Sequence, residues 1–256
     1  MILEVCVDTA AGLDAAVSGG ADRIELCAAL SLGGLTPPRS LIAMARTTPL
    51  PVHMLARPRE GGFHYAAREA AMIADDITTA AEAGLAGVVI GASSADHRLD
   101  IALLSRLVAH ARALGDIRGA PLSLTLHRVI DLCADMPDAL DAAIALGFDR
   151  ILTSGGEPRA IDGVSMLAAL HQRAAGRIVI LPGSGITASN VGAFLDIGLG
   201  EVHASCSVAD PGDDTGGVDT ARERRFGFTA PGRRRTDEAS VRALKTAARR
   251  GIGKHT

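Results

Sequence analysis

The sequence has no tryptophan, one tyrosine and five phenylalanines in 256 residues. Without aromatic faces for bases to stack on, a single-stranded nucleic-acid platform is excluded. Lysine is scarce too, two against 24 arginines, a skew that reads as coding bias rather than as a binding signal. Cys6, Cys27, Cys133 and Cys206 are dispersed with no CxxC pair. In a chain of this size that excludes a disulfide scaffold and a zinc ribbon. Long apolar runs are also missing. The longest, such as Gly87–Ile90 and Ile178–Leu181, are strand-length, well short of the roughly 18 residues of a spanning helix. No membrane partner is therefore expected, although mean hydropathy is +0.24. Met1–Val5 lacks the basic start and apolar stretch of a signal peptide, which predicts a cytoplasmic protein.

What is present suits a large core. Hydrophobic residues make up 48% and charged residues 21%, which excludes general disorder. The net charge of −3 is unevenly placed. Residues 222–256 carry 11 basic and 3 acidic side chains, leaving 15 basic and 26 acidic in the first 221, a net −11 there. The basic segment reads as a solvated final helix with its lead-in loop rather than as a docking site for an acidic partner.

Short β-branched runs alternate with Ala/Leu-rich segments of helical period. The strand candidates are 2–7, 23–27, 52–57, 87–91, 122–127, 150–154, 178–183 and 201–205. Helices are predicted near 9–19, 38–47, 66–83, 98–114, 137–146, 160–174, 187–197 and 236–250. Asp8-Thr9 and Thr236-Asp237 offer helix starts, and Gly19-Gly20, Gly84 and Gly147 offer stops. Eight β-α units in about 250 residues predict an α/β protein of one kind, a (β/α)8 TIM barrel spanning 1–256 as a single domain.

Alternation along the strands sorts side chains between helix layer and lumen. Leu3, Val5 and Val7 oppose Glu4 and Cys6. Ile24 and Leu26 oppose Glu25 and Cys27, and Val52 and Met54 oppose His53, Leu55 and Arg57. Leu122, Leu124 and Leu126 oppose Ser123, Thr125 and His127, and Val202 and Ala204 oppose Glu201, His203 and Ser205. The aliphatic sets must pack on helices. Glu4, Glu25, His53, Arg57, His127 and His203 are thus expected to converge at the C-terminal mouth, where barrel active sites lie. Alternatively Glu4 and Glu25 are buried carboxylates paired with Arg57 or Arg128. His64, His97, His110, His171 and His255 fall outside this set.

Glu4-Val5-Cys6 and Glu25-Leu26-Cys27 repeat one pattern on successive strands. Strands lie about 4.8 Å apart, so both thiols could meet around one soft ion, Cu(I) or zinc, or simply fill space as small hydrophobes. Cys206 takes the helix-facing parity, and Cys133 lies in a loop. After the seventh strand, Gly183-Ser184-Gly185 precedes a predicted helix and reads as an anion cradle or as an ordinary tight turn.

At these residues the chain resembles the CutC family, named for copper homeostasis. The matching stretches are Leu3-Glu4-Val5-Cys6, Gly20-Ala21-Asp22-Arg23-Ile24-Glu25-Leu26-Cys27, Gly33-Gly34-Leu35-Thr36-Pro37, Pro51-Val52-His53, Arg57-Pro58-Arg59, Leu126-His127-Arg128, Ile151-Leu152-Thr153-Ser154-Gly155 and Glu201-Val202-His203. The resemblance implies a cytoplasmic barrel, a copper-handling role with homodimers common, and Cu(I) ligands at Cys6 and Cys27. Departures fall at Glu60-Gly61-Gly62-Phe63, at Leu126 with Val129-Ile130, and at Ser184, where the family has Gly-Gly-Asp-Phe, Phe with Ala-Phe, and a central glycine.

Two functions are therefore expected to compete. One is Cu(I) binding through Cys6 and Cys27. The other is an enzyme whose Arg57, Arg59, Gly183, Ser184 and Gly185 hold a small anion while Glu4, Glu25, His53, His127 and His203 supply acid, base or hard-metal ligands.

Overall fold

The aliphatic runs form strands in the expected order: β1 (Ile2–Val7), β2 (Arg23–Leu26), β3 (Val52–Leu55), β4 (Gly87–Ile90), β5 (Ser123–Leu126), β6 (Arg150–Thr153), β7 (Val179–Pro182) and β8 (Glu201–Ala204). The computed structural model describes residues 1–210, 218–228 and 232–252. The strands are parallel and ordered β7-β6-β5-β4-β3-β2-β1-β8. β7 lies beside β8, so the sheet nearly closes on itself as a TIM barrel.

Helices α1 (Ala10–Gly19), α2 (Arg39–Ala45), α3 (Ala67–Glu82), α4 (Ile101–Arg118), α5 (Met136–Leu146), α6 (Val164–Ala174) and α7 (Gly192–Asp196) follow the first seven strands. Local chemistry fixes their ends. Thr9 accepts from Gly12 N–H at 3.0 Å, and Asp135 accepts from Asp138 N–H at 2.9 Å. Gly20 and Gly147 close α1 and α5 in the left-handed region, at φ of 87° and 85°.

Two features depart from the sequence expectation. The helix predicted over 187–197 is only the five residues of α7, because a turn intervenes in which Asn190 accepts from Thr187 N–H. After β8 the chain does not pass straight into its final helix. It forms β9 (Ser207–Ala209), antiparallel to β10 (Arg234–Thr236), with α8 (Val218–Arg225) between them.

The last helix, α9 (Glu238–Ile252), then packs on α1 and α7. Val241, Leu244 and Ala248 are buried there, and Lys245 pairs with Asp22. A Cβ on Gly19 would stand 2.5 Å from Val241 Cβ, so glycine permits this docking. The basic segment is therefore partly structural; its residues 229–231 and 253–256, including His255, lie outside the described residues.

The lumen is polar because β4 makes room for large side chains. A Cβ on Gly87 would lie 2.8 Å from His53 Cδ2, and one on Gly91 would lie 2.4 Å from His127 Cε1. On the outer face of the barrel, Leu3, Val5, Val7, Ile24, Leu26 and Met54 join the apolar layer beneath the helices.

Candidate functional site

Ladder register brings the acidic and basic residues together. Glu4 is the Cα partner of Arg23 on one side and of His203 on the other, and Cys6 is the partner of Glu25. Glu4 Oε1 bonds His203 Nδ1 at 2.8 Å, and Glu4 Oε2 accepts from Arg23 Nε at 2.5 Å. Arg23 Nη2 continues to Glu201 at 2.6 Å, which also meets Arg150 Nε at 3.1 Å. Desolvation alone would push the Glu4 carboxyl up. The His203 hydrogen bond and the Arg23 charge outweigh it and hold the group well below the ordinary carboxylate range. Glu4 therefore stays ionised. Its ion-pair partners are Arg23 and the lumen histidines, rather than the Arg57 or Arg128 considered above.

Above this network sits a pocket of about 760 Å³ at the C-terminal mouth. Cys6, Glu25 and His203 form its floor, with one ligand atom of each within 4.8 Å of the others. His203 Nε2 lies 3.7 Å from Glu25 Oε2. Burial opposes a charge on His203, but Cys6, Glu25 and Glu4 prevail and raise its pKa well above the ordinary value. Glu25 is pushed up by burial and by the Glu4 charge, against the pull of His203. Cys27 is fully buried, donates to Glu25 Oε2 at 3.4 Å, and is raised well above the usual thiol value, first by burial and then by Glu25. It contacts Cys6 in a small cluster with Leu55 and Val89.

The wall includes Arg57, Phe63 and His127 on one side and Ser184, Gly185, Thr187 and Ser189 on another. Burial and the Arg57 charge lower the His127 pKa to about 3, so its ring is neutral.

With that geometry the sequence profile of the CutC family matches residues 1–208. The chain belongs to the CutC family. A family protein CutC of Sinorhizobium medicae is 49% identical over 246 residues, covering 96% of this chain and 95% of that one. Its counterpart in Agrobacterium fabrum is 51% identical over 247 residues, 96% and 93% of the two chains. A Streptococcus agalactiae CutC, described as a candidate copper homeostasis protein, superposes with a TM-score of 0.73 at 27% identity over 80% of this chain and 98% of that one. A Streptococcus mutans protein, KGPDC, shares the fold alone, at TM-score 0.60 and 13% identity over 97% of each chain.

In this CutC chain the expected convergence divides into two tiers. Glu4, Glu25, His53 and His203 interlock, with His53 Nδ1 3.8 Å from Glu4. Burial lowers the His53 pKa to about 4, and the ring lies beneath the pocket rather than on its wall. Arg57 and His127 form the upper tier. Arg59 turns away: it pairs with Glu69, donates to the carbonyls of Gly62 and His64, and does not line the pocket. Gly183 N–H is spent on Thr153 O at 3.0 Å, while Ser184 and Gly185 line the wall at φ of 86° and 70°.

Cys206 joins the apolar layer beneath the helices, as its parity predicts, yet also reaches the pocket. The strand ends at Ala204, and Cys206 takes a φ of 46°, which brings it to the pocket wall. Its thiol is pushed up to about 12, first by burial and then by Cys6 and Asp237. Sequence reasoning also passed over Arg23 and Arg150. Both share lumen parity on their strands, and that was the available signal.

No helix among the described residues is long and apolar enough to cross a membrane.

Proposed function

We propose that the barrel mouth captures Cu(I), with Cys6 as the first ligand, His203 and Glu25 beside it, and Cys27 as a second thiol. One observation carries this: the ligand atoms of Cys6, Glu25 and His203 lie within 4.8 Å of one another on the floor of an accessible pocket. Three donors sharing one metal at about 2.3 Å stand about 4.0 Å apart at most, so shifts of under about 1 Å close the Cys6–Glu25–His203 set, and Cys27 joins it by turning from Glu25. Thiolate and imidazole suit a soft or borderline ion better than calcium or magnesium. The description of the Streptococcus agalactiae relative as a candidate copper homeostasis protein agrees with this reading. Anaerobic titration against a competing Cu(I) chelator tests the proposal. Affinity should fall at least tenfold in Cys6→Ser and further in the Cys6→Ser, Cys27→Ser double variant; unchanged affinity in the double variant overturns it.

A second reading rests on pocket size. About 760 Å³ far exceeds an ion's needs and falls within the range of small-molecule sites. An enzyme acting on a small anionic metabolite would use Glu25 and His203 as its acid–base pair. Turnover of carboxylated or phosphorylated compounds that disappears in His203→Asn supports this reading, and a screen without turnover removes it.

A further inference from the structure

Two buried groups with unused hydrogen-bond donors adjoin each other in the pocket wall. Arg57 is 7% exposed and His127 5%. Phe63 contacts both, its ring centroid 4.5 Å from that of His127 and 5.2 Å from Arg57 Cζ.

The Arg57 guanidinium is held by neutral groups. Nη1 donates to Leu32 O at 2.9 Å and to Gly34 O at 2.7 Å, and Nη2 donates to Gly61 O at 3.0 Å. That uses three of the five N–H hydrogens, and Nε has no hydrogen-bond partner. Tyr65 Oη approaches this guanidinium closely enough for the Arg57 charge and a loose hydrogen bond to pull its pKa down against burial, but it makes no well-formed hydrogen bond. None of the described carboxylates forms an ion pair with Arg57. A buried cation without a counter-charge is costly, and the carbonyls and the Phe63 ring offset only part of that cost, so the site favours an anion.

His127 adds a directed donor. Its Nδ1 accepts from Val129 N–H at 3.1 Å, so the neutral ring carries its proton on Nε2, which has no partner. Glu25 is the one carboxylate lining the pocket among the described residues; of the cations, Arg128 is paired with Asp131 and His203 with Glu4, which leaves Arg57 without an ion pair.

We propose that Arg57 and His127 anchor the carboxylate or phosphate of a small-molecule ligand whose remaining atoms extend toward Cys6 and His203 on the pocket floor. The guanidinium supplies the charge and part of a planar fork; the neutral imidazole supplies a second donor without a second charge. Such an anchor rests on the second reading above, in which a small anion is the substrate, and is independent of copper capture.

Calorimetric titration at fixed ionic strength with inorganic phosphate, glycerol 3-phosphate and succinate tests it, with glycerol as the uncharged control. At least one anion should bind, tenfold or more weaker in Arg57→Lys, and the glycerol 3-phosphate and succinate arms distinguish the two headgroups. Arg57 also ties loops together, so the wild-type protein provides a second readout. The His127 ring-nitrogen resonances should move with the anion and not with glycerol. If Arg57→Lys does not fold, that shift alone decides: movement supports the anchor and its absence overturns it. Binding that is equal in Arg57→Lys, with His127 unmoved, overturns the anchor but leaves an anionic substrate in place. No binding by any anion overturns both.

Discussion

Glu4 and His203, 199 residues apart, are Cα partners across the β1–β8 ladder and share a 2.8 Å hydrogen bond. The other oxygen of Glu4 accepts from Arg23, so one carboxylate compensates two buried cations. Glu4→Gln preserves shape and removes that charge. Breaking a buried pair from one side costs roughly 3–5 kcal/mol, so the urea midpoint should fall by a corresponding amount. A loss under about 1 kcal/mol would show that the network contributes little to stability.

Stability should peak near pH 6.5, the ordinary histidine value. His53 and His127 have folded values of about 4 and about 3. Below pH 6.5 the unfolded chain binds protons that the folded chain refuses, so stability falls as pH drops toward those values. His203 has the opposite sign. Its raised value stabilises fully below 6.5, and that contribution is lost as pH rises through the folded value. Urea midpoints at pH 4.5, 6.5 and 8.5 should trace a maximum, and His203→Asn should flatten its alkaline side. A monotonic profile contradicts this assignment of charges.

Cu(I) capture should release protons, because the raised values leave His203 as imidazolium and Cys27 as thiol at neutral pH. Chelator competition at pH 6.5, 7.5 and 8.5 should show affinity rising with pH, and more steeply in wild type than in Cys27→Ser. A pH-independent affinity would mean that neither group ligates.

Gly91→Ala should be destabilising out of proportion to one methyl group. The new Cβ would lie 2.4 Å from His127 Cε1 and 2.8 Å from Val129 Cγ1. Overpacking of this kind costs about 1–3 kcal/mol, and the displaced imidazole should also weaken anion binding. Thermal unfolding measures the first effect and calorimetry the second. Unchanged values for both would show that the ring moves aside freely.

The barrel was legible in the sequence because its rules are local. Period-two alternation in Leu3–Val7 and Arg23–Cys27 sorts side chains between helix layer and lumen without reference to distant residues. Thr9, Gly20 and Gly147 mark helix ends through bonds a few residues long. Cys206 shows where such reasoning stops. Parity holds only while the backbone is extended, and the chain leaves the strand two residues earlier. The short α7 escaped because a turn closed by Asn190 on Thr187 N–H precedes it, and the β9–β10 pair because it depends on how the chain returns from β8.

Sequence by itself determined which residues face the lumen and that most are ionisable, because strand parity is a property of covalent geometry. Only the tertiary structure decided who pairs with whom. Strand stagger set Glu4 between Arg23 and His203 and left Cys27 on Glu25 beside a Cys6–Glu25–His203 floor, while the loop after β3 turned Arg59 onto Glu69 and kept Arg57 in the wall. Those choices depend on ångström-scale positions of strands nearly 200 residues apart, where Coulomb and hydrogen-bond energies change steeply with distance.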